Sequence, residues 1–384
     1  MYSVKVKVLA VAVASLSASI WPLSAGPENG AGQEALEAAV DEIFADIEGS
    51  SMPGCAVGVI HDGEYVLKRG YGLANLEYGI PITPQSVFRT GSLSKQFTSM
   101  AIAILAQRGD LDLDADVHEY LPDLMDYGHE VTIRQMVHHT AGMGDYDPEF
   151  FTGPDGKPFR FGNEDYWTTQ EFYEAVRSVP LKWEPGTDWE YSNLAYFLLS
   201  QVVESVSGRS LRQFAAEEMF GPLGMTNTLF NDNVNQVVRN RADGYRRMDD
   251  GSYEIFMTNL DWVGDGGVYT NLDDFIQWDR NFYSNRLGNG STDLIGMTTT
   301  PDPDAVSETR TADGARYAFG HFVGTKEGHA VVGHTGGWVG FSSLYLRFPE
   351  LTISVVAFCN STDASAPALG TEVALAAISA LGPK

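Results

Sequence analysis

The sequence predicts an α+β fold, an antiparallel sheet flanked by helices, in which both chain ends build the sheet and a mostly helical lobe is inserted between them. Two strand-like runs, 55–60 and 65–71, lie near the beginning, and three more, 329–335, 341–348 and 352–359, lie near the end. Between these strand-rich ends, the middle of the chain, roughly 92–230, is dominated by helical periodicity.

The first predicted element is an amphipathic helix over 33–48. Its apolar residues recur at helical spacing, namely Leu36, Val40, Ile43, Phe44 and Ile47. We expect this helix to cover one face of the sheet.

Turn residues separate the remaining elements. The Asp62-Gly63 pair between the first two strands is a strong hairpin signal. In the middle, 97–105 is apolar on nearly every face and predicts a buried helix, and 194–206 and 211–220 predict two more helices. Gly336-Gly337 and Pro349-Glu350 separate the C-terminal strands, and a last helix over 372–381 ends at Gly382-Pro383.

The composition is that of a folded, strongly acidic protein. The 384 residues include 25 Lys plus Arg against 51 Asp plus Glu, which gives a formal net charge of −26. Nucleic acids and anionic membranes require a basic face, so this balance argues against both as partners. Only two cysteines are present, which excludes a cysteine-rich metal cluster or a disulfide scaffold.

The first 25 residues are typical of a secretory signal peptide. Lys5 and Lys7 precede an apolar run over 8–18, and the small residues Leu23-Ser24-Ala25-Gly26 follow Pro22. A membrane anchor is the alternative, but the run is interrupted by serines and is shorter than the ~20 apolar residues that a span needs. We therefore expect cleavage after Ala25, a linker over 26–32, a catalytic domain over 33–384, no stable membrane insertion, and export to the periplasm or the medium.

The first chemical motif is Ser92-Leu93-Ser94-Lys95, which opens the buried helix. Ser92 and Lys95 are three residues apart and project from one side of its first turn, whereas Ser94 points elsewhere. A lysine desolvated there can lose its proton and activate the serine hydroxyl. The alternative is a helix cap beside an exposed lysine, and the motif alone does not decide.

Two further motifs lie later in the chain. Tyr191-Ser192-Asn193 precedes a helix and follows a Pro-Gly turn, so Tyr191 is either an acid-base group beside a cation or a packed aromatic next to a cap. His334-Thr335-Gly336-Gly337 ends a strand, and its glycines either admit a substrate and leave the Gly337 amide free for an oxyanion, or form a bulge.

Together these motifs resemble the penicillin-recognising serine hydrolases, in the branch with class C β-lactamases, D-alanyl-D-alanine carboxypeptidases, D-aminopeptidases and related esterases. Their order and spacing agree, and the similarity spans nearly the whole mature chain. Connecting stretches agree as well, namely Met52-Pro53-Gly54, Val87 to Ser92, Ile133 to Gly142 and Gly264 to Val268 followed by Asp274. The resemblance implies the β-lactamase/transpeptidase-like fold, with a helical lobe over roughly 92–260.

The resemblance also implies roles for the motif residues. Ser92 becomes acylated, Lys95 and Tyr191 share the proton traffic, and Asn193 orients Lys95 and the substrate amide. The Ser92 and Gly337 amides form the oxyanion hole, and the strand residues His334, Thr335 and Gly336 bind substrate. No cofactor and no metal are implied.

His334 bears on the substrate. Class C β-lactamases usually carry lysine there, whereas histidine is common in the peptidase and esterase members, and a histidine with an ordinary pKa near ~6.5 is largely neutral at pH 7. We therefore expect a small ester or D-amino-acid peptide as substrate. A β-lactam substrate and a weakly catalytic penicillin-binding or sensor protein are the alternatives.

Several other features receive weaker functional interpretations. The aromatic residues over 145–189 either wall an acyl pocket or pack the lobe, and Trp338 is a candidate for the rim of the site. The neighbours His138 and His139 are expected to be structural, and Asp249-Asp250 and Asp273-Asp274 to be solvated turns and helix caps. In the family's sheet the strands of Cys55 and Cys359 are neighbours; we expect two buried free thiols, although export permits a disulfide.

Overall fold

The computed structural model describes residues 27–49, 51–145, 166–302 and 314–382. The predicted signal peptide lies outside these residues. The strands are β1 Cys55–His61, β2 Glu64–Tyr71, β3 Leu73–Asn75, β4 Ile80–Pro81, β5 Phe88–Arg89, β6 Leu229–Phe230, β7 Tyr245–Arg247, β8 Tyr253–Ile255, β9 Val268–Thr270, β10 Arg316–Tyr317, β11 Phe322–Lys326, β12 His329–Trp338, β13 Phe341–Phe348 and β14 Ile353–Cys359.

The helices cluster between β5 and β10 and at the two ends. They are α1 Pro27–Ile43, α2 Lys95–Arg108, α3 Ile133–Val137, α4 Thr169–Val176, α5 Asn193–Ser207, α6 Leu211–Ala215, α7 Gly221–Leu223, α8 Leu272–Asn281, α9 Asp293–Thr299 and α10 Ala366–Leu381. A π-helical turn, Ala216–Phe220, links α6 to α7 and completes the helix predicted over 211–220.

Both chain ends build the main sheet, as predicted. Its seven strands are antiparallel neighbours in the order β10-β11-β12-β13-β14-β1-β2, so β14 from the C-terminal end pairs with β1 from the N-terminal end. The hairpin between β1 and β2 turns at Asp62 and Gly63, which both have positive φ (52° and 75°), the conformation of a type I′ turn.

The two cysteines form a disulfide, so the expectation of free thiols was wrong. Cys55 and Cys359 are direct partners in the pairing of β1 with β14, and their Cα atoms are 4.1 Å apart. Both side chains therefore leave the same face of the sheet at the same height, which places the sulfur atoms in bonding range. The bridge ties the first strand of the sheet to the last strand in the chain.

Two apolar cores lie on opposite faces of the sheet. On the outer face, α10 packs against β1, β13 and β14, and α1 packs against α10; the predicted residues Leu36, Val40 and Phe44 are fully buried there. On the inner face lies the helical lobe around α2, in which residues 95–105 are all buried. The side chains of α2 are apolar on nearly every side because the helix is surrounded.

Helix α1 differs from its predicted bounds. It begins at Pro27, within the expected linker, and ends at Ile43 instead of Glu48. Proline is compatible with the first helical position because its φ is already helical and it has no amide hydrogen to leave unpaired. None of the helices in the described ranges combines the length and apolarity needed to cross a bilayer.

Candidate active site

The site is built around the turn that carries Ser92. A 3₁₀ turn over Gly91–Ser94 leads into α2, and Gly91 takes a positive φ of 53°. Ser94 stabilises this turn from below, because its Oγ accepts a hydrogen bond from the Val268 amide (3.0 Å) and lies 3.1 Å from Thr90 Oγ1. Ser94 thus faces β9 and leaves Ser92 as the serine directed at Lys95.

Lys95 is the centre of the hydrogen-bond network and is fully buried. Its Nζ donates to Ser92 Oγ (3.3 Å), Asn193 Oδ1 (2.6 Å) and the Asp265 carbonyl (2.6 Å). Burial lowers the pKa of Lys95 from 10.5 to about 8, although Asp265 and Asp145 oppose this shift. A substantial fraction of Lys95 is therefore neutral near pH 8 and able to take a proton from Ser92.

Tyr191 lies over Lys95, with Nζ 4.7 Å from the ring centroid. Its hydroxyl oxygen is buried and has no hydrogen-bond partner among the residues that the structure describes. Burial raises the pKa of Tyr191 well above its usual range, and the neighbouring Ser92 hydroxyl opposes that shift. Tyr191 is therefore protonated at neutral pH and suited to pass a proton to a leaving group.

Asn193 links Lys95 to Asp145. It is the first residue of α5, whose N-cap is Ser192, and its Nδ2 donates to Asp145 Oδ2 (3.0 Å). The Asn193 backbone amide also approaches Asp145 Oδ1 (3.3 Å). Since the side-chain amide nitrogen donates to Asp145, the amide oxygen is directed toward Lys95.

Strand β12 lies directly against the Ser92 turn. A Cβ at Gly336 would stand 1.9 Å from the Thr90 carbonyl oxygen, and a Cβ at Gly91 would stand 2.8 Å from the Gly337 amide nitrogen. Only glycine fits at these two positions. This close approach brings the Gly337 amide beside the Ser92 turn, the arrangement that an oxyanion hole at Ser92 would require.

His334 faces the site, whereas Thr335 does not. The His334 ring donates from Nδ1 to the Thr335 carbonyl (2.5 Å), so Nε2 accepts from the Tyr317 hydroxyl (3.1 Å). Burial lowers the pKa of His334 to about 3, with a further contribution from Lys95, although the bond to the Thr335 carbonyl opposes the shift. The Thr335 side chain leaves the opposite face of β12 and lines a cavity of about 370 Å³ with Leu344 and Pro367.

His139 is a site residue that the sequence motifs did not reveal. It has a positive φ of 64°, is buried, and accepts a hydrogen bond from the Ser192 amide at Nδ1 (3.1 Å). Its ring centroid lies 4.4 Å from those of both Tyr191 and Tyr317. These contacts give His139 a structural role next to the site, because they position the loop that carries Tyr191.

The other expectations have mixed outcomes. Residues 146–165 of the aromatic segment over 145–189 lie outside the described residues; within the described part, Trp167 packs against Phe172 in the inner core. Asp250 accepts from Ser252 in an exposed turn, whereas Asp274 is buried in the first turn of α8, bound by Asn227. In the part of the chain that is described, no group of three His, Cys, Asp or Glu side chains is arranged to hold a metal ion.

Comparisons with known proteins find sequence relatives that share one family. A family model described as Beta-lactamase matches residues 37–378. A D-aminopeptidase of Gluconobacter oxydans is 30% identical over 333 residues, which are 86% of this chain and 59% of the relative. Penicillin-binding protein 4* of Bacillus subtilis is 25% identical over 318 residues, which are 78% of this chain and 66% of the relative.

A solved structure shows the same fold. The octameric penicillin-binding protein homologue from Pyrococcus abyssi superimposes with a TM-score of 0.76 at 25% identity, covering 89% of this chain and 76% of that chain. This chain therefore shares a catalytic fold with longer proteins and spans about three fifths to two thirds of the curated relatives.

Proposed function

The chain belongs to the β-lactamase family of penicillin-recognising serine hydrolases, and from this premise we propose that it hydrolyses amides or short peptides of D-amino acids through an acyl-enzyme on Ser92. The observation that carries the proposal is the buried Lys95, whose Nζ lies 3.3 Å from Ser92 Oγ and whose pKa is lowered to about 8 by burial. The similarity to a D-aminopeptidase supports the substrate class.

The reaction follows from the contacts of these residues. Neutral Lys95 takes the Ser92 proton as Oγ attacks the substrate carbonyl carbon, and the Gly337 and Ser92 amides stabilise the oxyanion. The proton reaches the leaving amine through Tyr191 as the amide bond breaks. A water molecule then attacks the ester on Ser92 and releases the acid.

Ester substrates are the second candidate, and β-lactams are less favoured. The buried His334 has a pKa of about 3 and is neutral at the pH of catalysis, so it offers no permanent charge for a carboxylate beside the scissile bond. A neutral leaving group, such as a simple amine or alcohol, suits this environment better. The export expected from the sequence remains part of the proposal.

The test is a substrate panel on the wild type and on Ser92→Ala. D-alanine p-nitroanilide, its L-enantiomer, p-nitrophenyl acetate and nitrocefin cover the substrate classes. We expect hydrolysis of the D-anilide, and a loss of about four orders of magnitude or more in kcat for Ser92→Ala, because the residue is the nucleophile.

The matched control is Ser94→Ala, which removes a hydroxyl from the same turn. A fluorophosphonate label should be found on Ser92 by mass spectrometry in the wild type and in Ser94→Ala, and nowhere in Ser92→Ala. A label on another residue, or a preference for nitrocefin over both anilides, would contradict the proposal.

A further inference from the structure

Arg89 is a buried cation that the proposed reaction does not use. Arg89 ends β5, three residues before Ser92, and only 4% of its surface is exposed. Its Nε and Nη1 atoms are buried and have no hydrogen-bond partner among the described residues. Because a desolvated guanidinium without hydrogen bonds is strongly destabilising, this arrangement indicates that a ligand completes it.

The position of Arg89 relates it to the site. Its guanidinium carbon lies 5.5 Å from the ring centroid of Trp338, the residue after the oxyanion glycine Gly337. A Cβ at Gly266 would stand 4.0 Å from Arg89 Nη2 and 3.7 Å from the Gly91 carbonyl oxygen. Gly266 thus lies in van der Waals range of both the guanidinium and the Ser92 turn, with room for a Cβ, and it follows Asp265, whose carbonyl accepts a hydrogen bond from Lys95.

The geometry also decides which part of a substrate reaches Arg89. His334 and Trp338 lie about 13 Å apart along β12, on opposite sides of Gly337. Tyr191 lies on the His334 side, with ring centroids 6.0 Å apart. Because the proton donor must be next to the leaving group, the leaving group occupies the His334 side and the acyl group extends toward Trp338 and Arg89.

We propose that Arg89 binds a carboxylate on the acyl part of the substrate, so that the enzyme prefers acyl groups with a negatively charged side chain. A guanidinium offers parallel N–H donors that match a carboxylate, and Trp338 holds its plane. The inference rests on the proposed acyl transfer at Ser92. A carboxylate ligand would account for the burial of the Arg89 guanidinium close to Ser92.

The kinetic test compares two nearly isosteric substrates, D-glutamyl and D-glutaminyl p-nitroanilide, which differ in side-chain charge. We expect the wild type to prefer the glutamyl substrate in kcat/KM, and Arg89→Gln to lower the ratio of the two kcat/KM values about tenfold to a hundredfold. Arg89→Lys should restore part of the preference. An unchanged ratio in a folded Arg89→Gln variant would overturn the inference.

A second pair of variants keeps Arg89 in place. Gly266 has no positive φ and room for a Cβ, so Gly266→Asp would place a competing carboxylate near Arg89 Nη2, whereas Gly266→Asn is its neutral match. The Asp variant should lose the preference for the glutamyl substrate and the Asn variant should keep most of it. Equal ratios in the two variants would speak against the site.

Binding to Ser92→Ala separates this inference from the proposed function. Without the nucleophile, calorimetry should show tighter binding of the glutamyl than of the glutaminyl anilide, and Arg89→Gln in that background should abolish the difference. If neither anilide is hydrolysed by the wild type but this difference is present, the proposed function fails and the carboxylate site stands. Equal binding of both anilides refutes the site.

Discussion

Lys95 carries a positive charge in a place where all three of its hydrogen-bond acceptors are neutral. Ser92 Oγ, Asn193 Oδ1 and the Asp265 carbonyl satisfy its donors. Neutral acceptors do not offset the loss of water around an ammonium group, so burial dominates and the pKa falls to about 8. The same residue therefore contacts the Ser92 hydroxyl and can accept its proton in the proposed reaction.

The pH dependence of catalysis should follow this group. We expect kcat/KM to rise about tenfold per pH unit below an apparent pKa near 8 and to level off above it, because only neutral Lys95 acts as the base. The pKa of Tyr191 is raised and those of His139 and His334 are lowered, so none of them titrates in this window. Initial rates in constant-ionic-strength buffers from pH 6 to 9.5 provide the measurement.

Lys95→Arg is the control for that profile. Arginine keeps the charge but stays protonated, so activity should fall and the rise near pH 8 should disappear. A wild-type profile that is flat from pH 6 to 9 would show that Lys95 is not the base.

At the scale of the elements, catalysis depends on how closely β12 lies against the Ser92 turn. The contact is made by backbone at Gly336 and Gly91, and it is reinforced by a hydrogen bond from Ser343 Oγ of β13 to the Thr90 carbonyl (2.6 Å). The sheet and the helical lobe thus touch through backbone atoms, so no side-chain rotation can relieve a misfit there. This contact fixes the distance between Ser92, the proposed nucleophile, and the Gly337 amide of the proposed oxyanion hole.

Gly336→Ala should therefore reduce activity strongly. A Cβ there would lie 1.9 Å from the Thr90 carbonyl oxygen, so β12 or the turn must shift, and a displacement of about 1 Å costs roughly a hundredfold in kcat. Gly337→Ala is the matched variant, because a Cβ at Gly337 meets no atom within 4 Å, and its loss should be at least tenfold smaller. Steady-state kinetics on both would check this, and equal losses would contradict it.

The sequence predicted the elements and motifs better than it predicted their partners. The β1–β2 hairpin, β13 and the Ser92-Lys95 spacing follow from local patterns, and the structure has them where expected. His139 was not predicted to touch the site, because its role depends on contacts with Ser192 and Tyr191 from a distant part of the chain. The disulfide was weighed only as the alternative to two free thiols, since its formation depends on strand register, which local sequence does not give.

For the whole molecule, pH should act on stability through its buried histidines. Burial lowers the pKa of His139 and His321 well below 6.5 and that of His334 to about 3, so the folded protein keeps them neutral. The unfolded chain protonates them below pH 6.5, and stability therefore falls as the pH decreases through this window. His118 behaves differently. Burial lowers its pKa, but hydrogen bonds to the Met125 carbonyl and to Asp116 outweigh burial, so the net pKa is raised. Protonation of His118 therefore stabilises the folded protein as the pH falls.

Net charge predicts the reverse trend. At pH 7 the formal charge is −26, and acidification toward the isoelectric point near 4.5 reduces self-repulsion, which by itself would stabilise the fold. Carboxylates with lowered pKa, such as Asp41 and Asp114, lose their contribution only at lower pH. Between pH 7 and pH 5, protonation of the buried histidines should therefore lower the free energy of unfolding, whereas the smaller net charge should raise it.

We expect the histidines to dominate, at about 2 kcal/mol of lost unfolding free energy for each buried histidine between pH 7 and pH 5. His321→Gln tests this away from the site, because His321 packs edge-on against Phe282 and neither ring nitrogen has a hydrogen-bond partner in the described ranges. In urea denaturation, the variant's pH 7 to pH 5 difference should be smaller than the wild type's by about 2 kcal/mol, whatever its stability at pH 7. An undiminished difference in His321→Gln would assign the pH dependence to other groups.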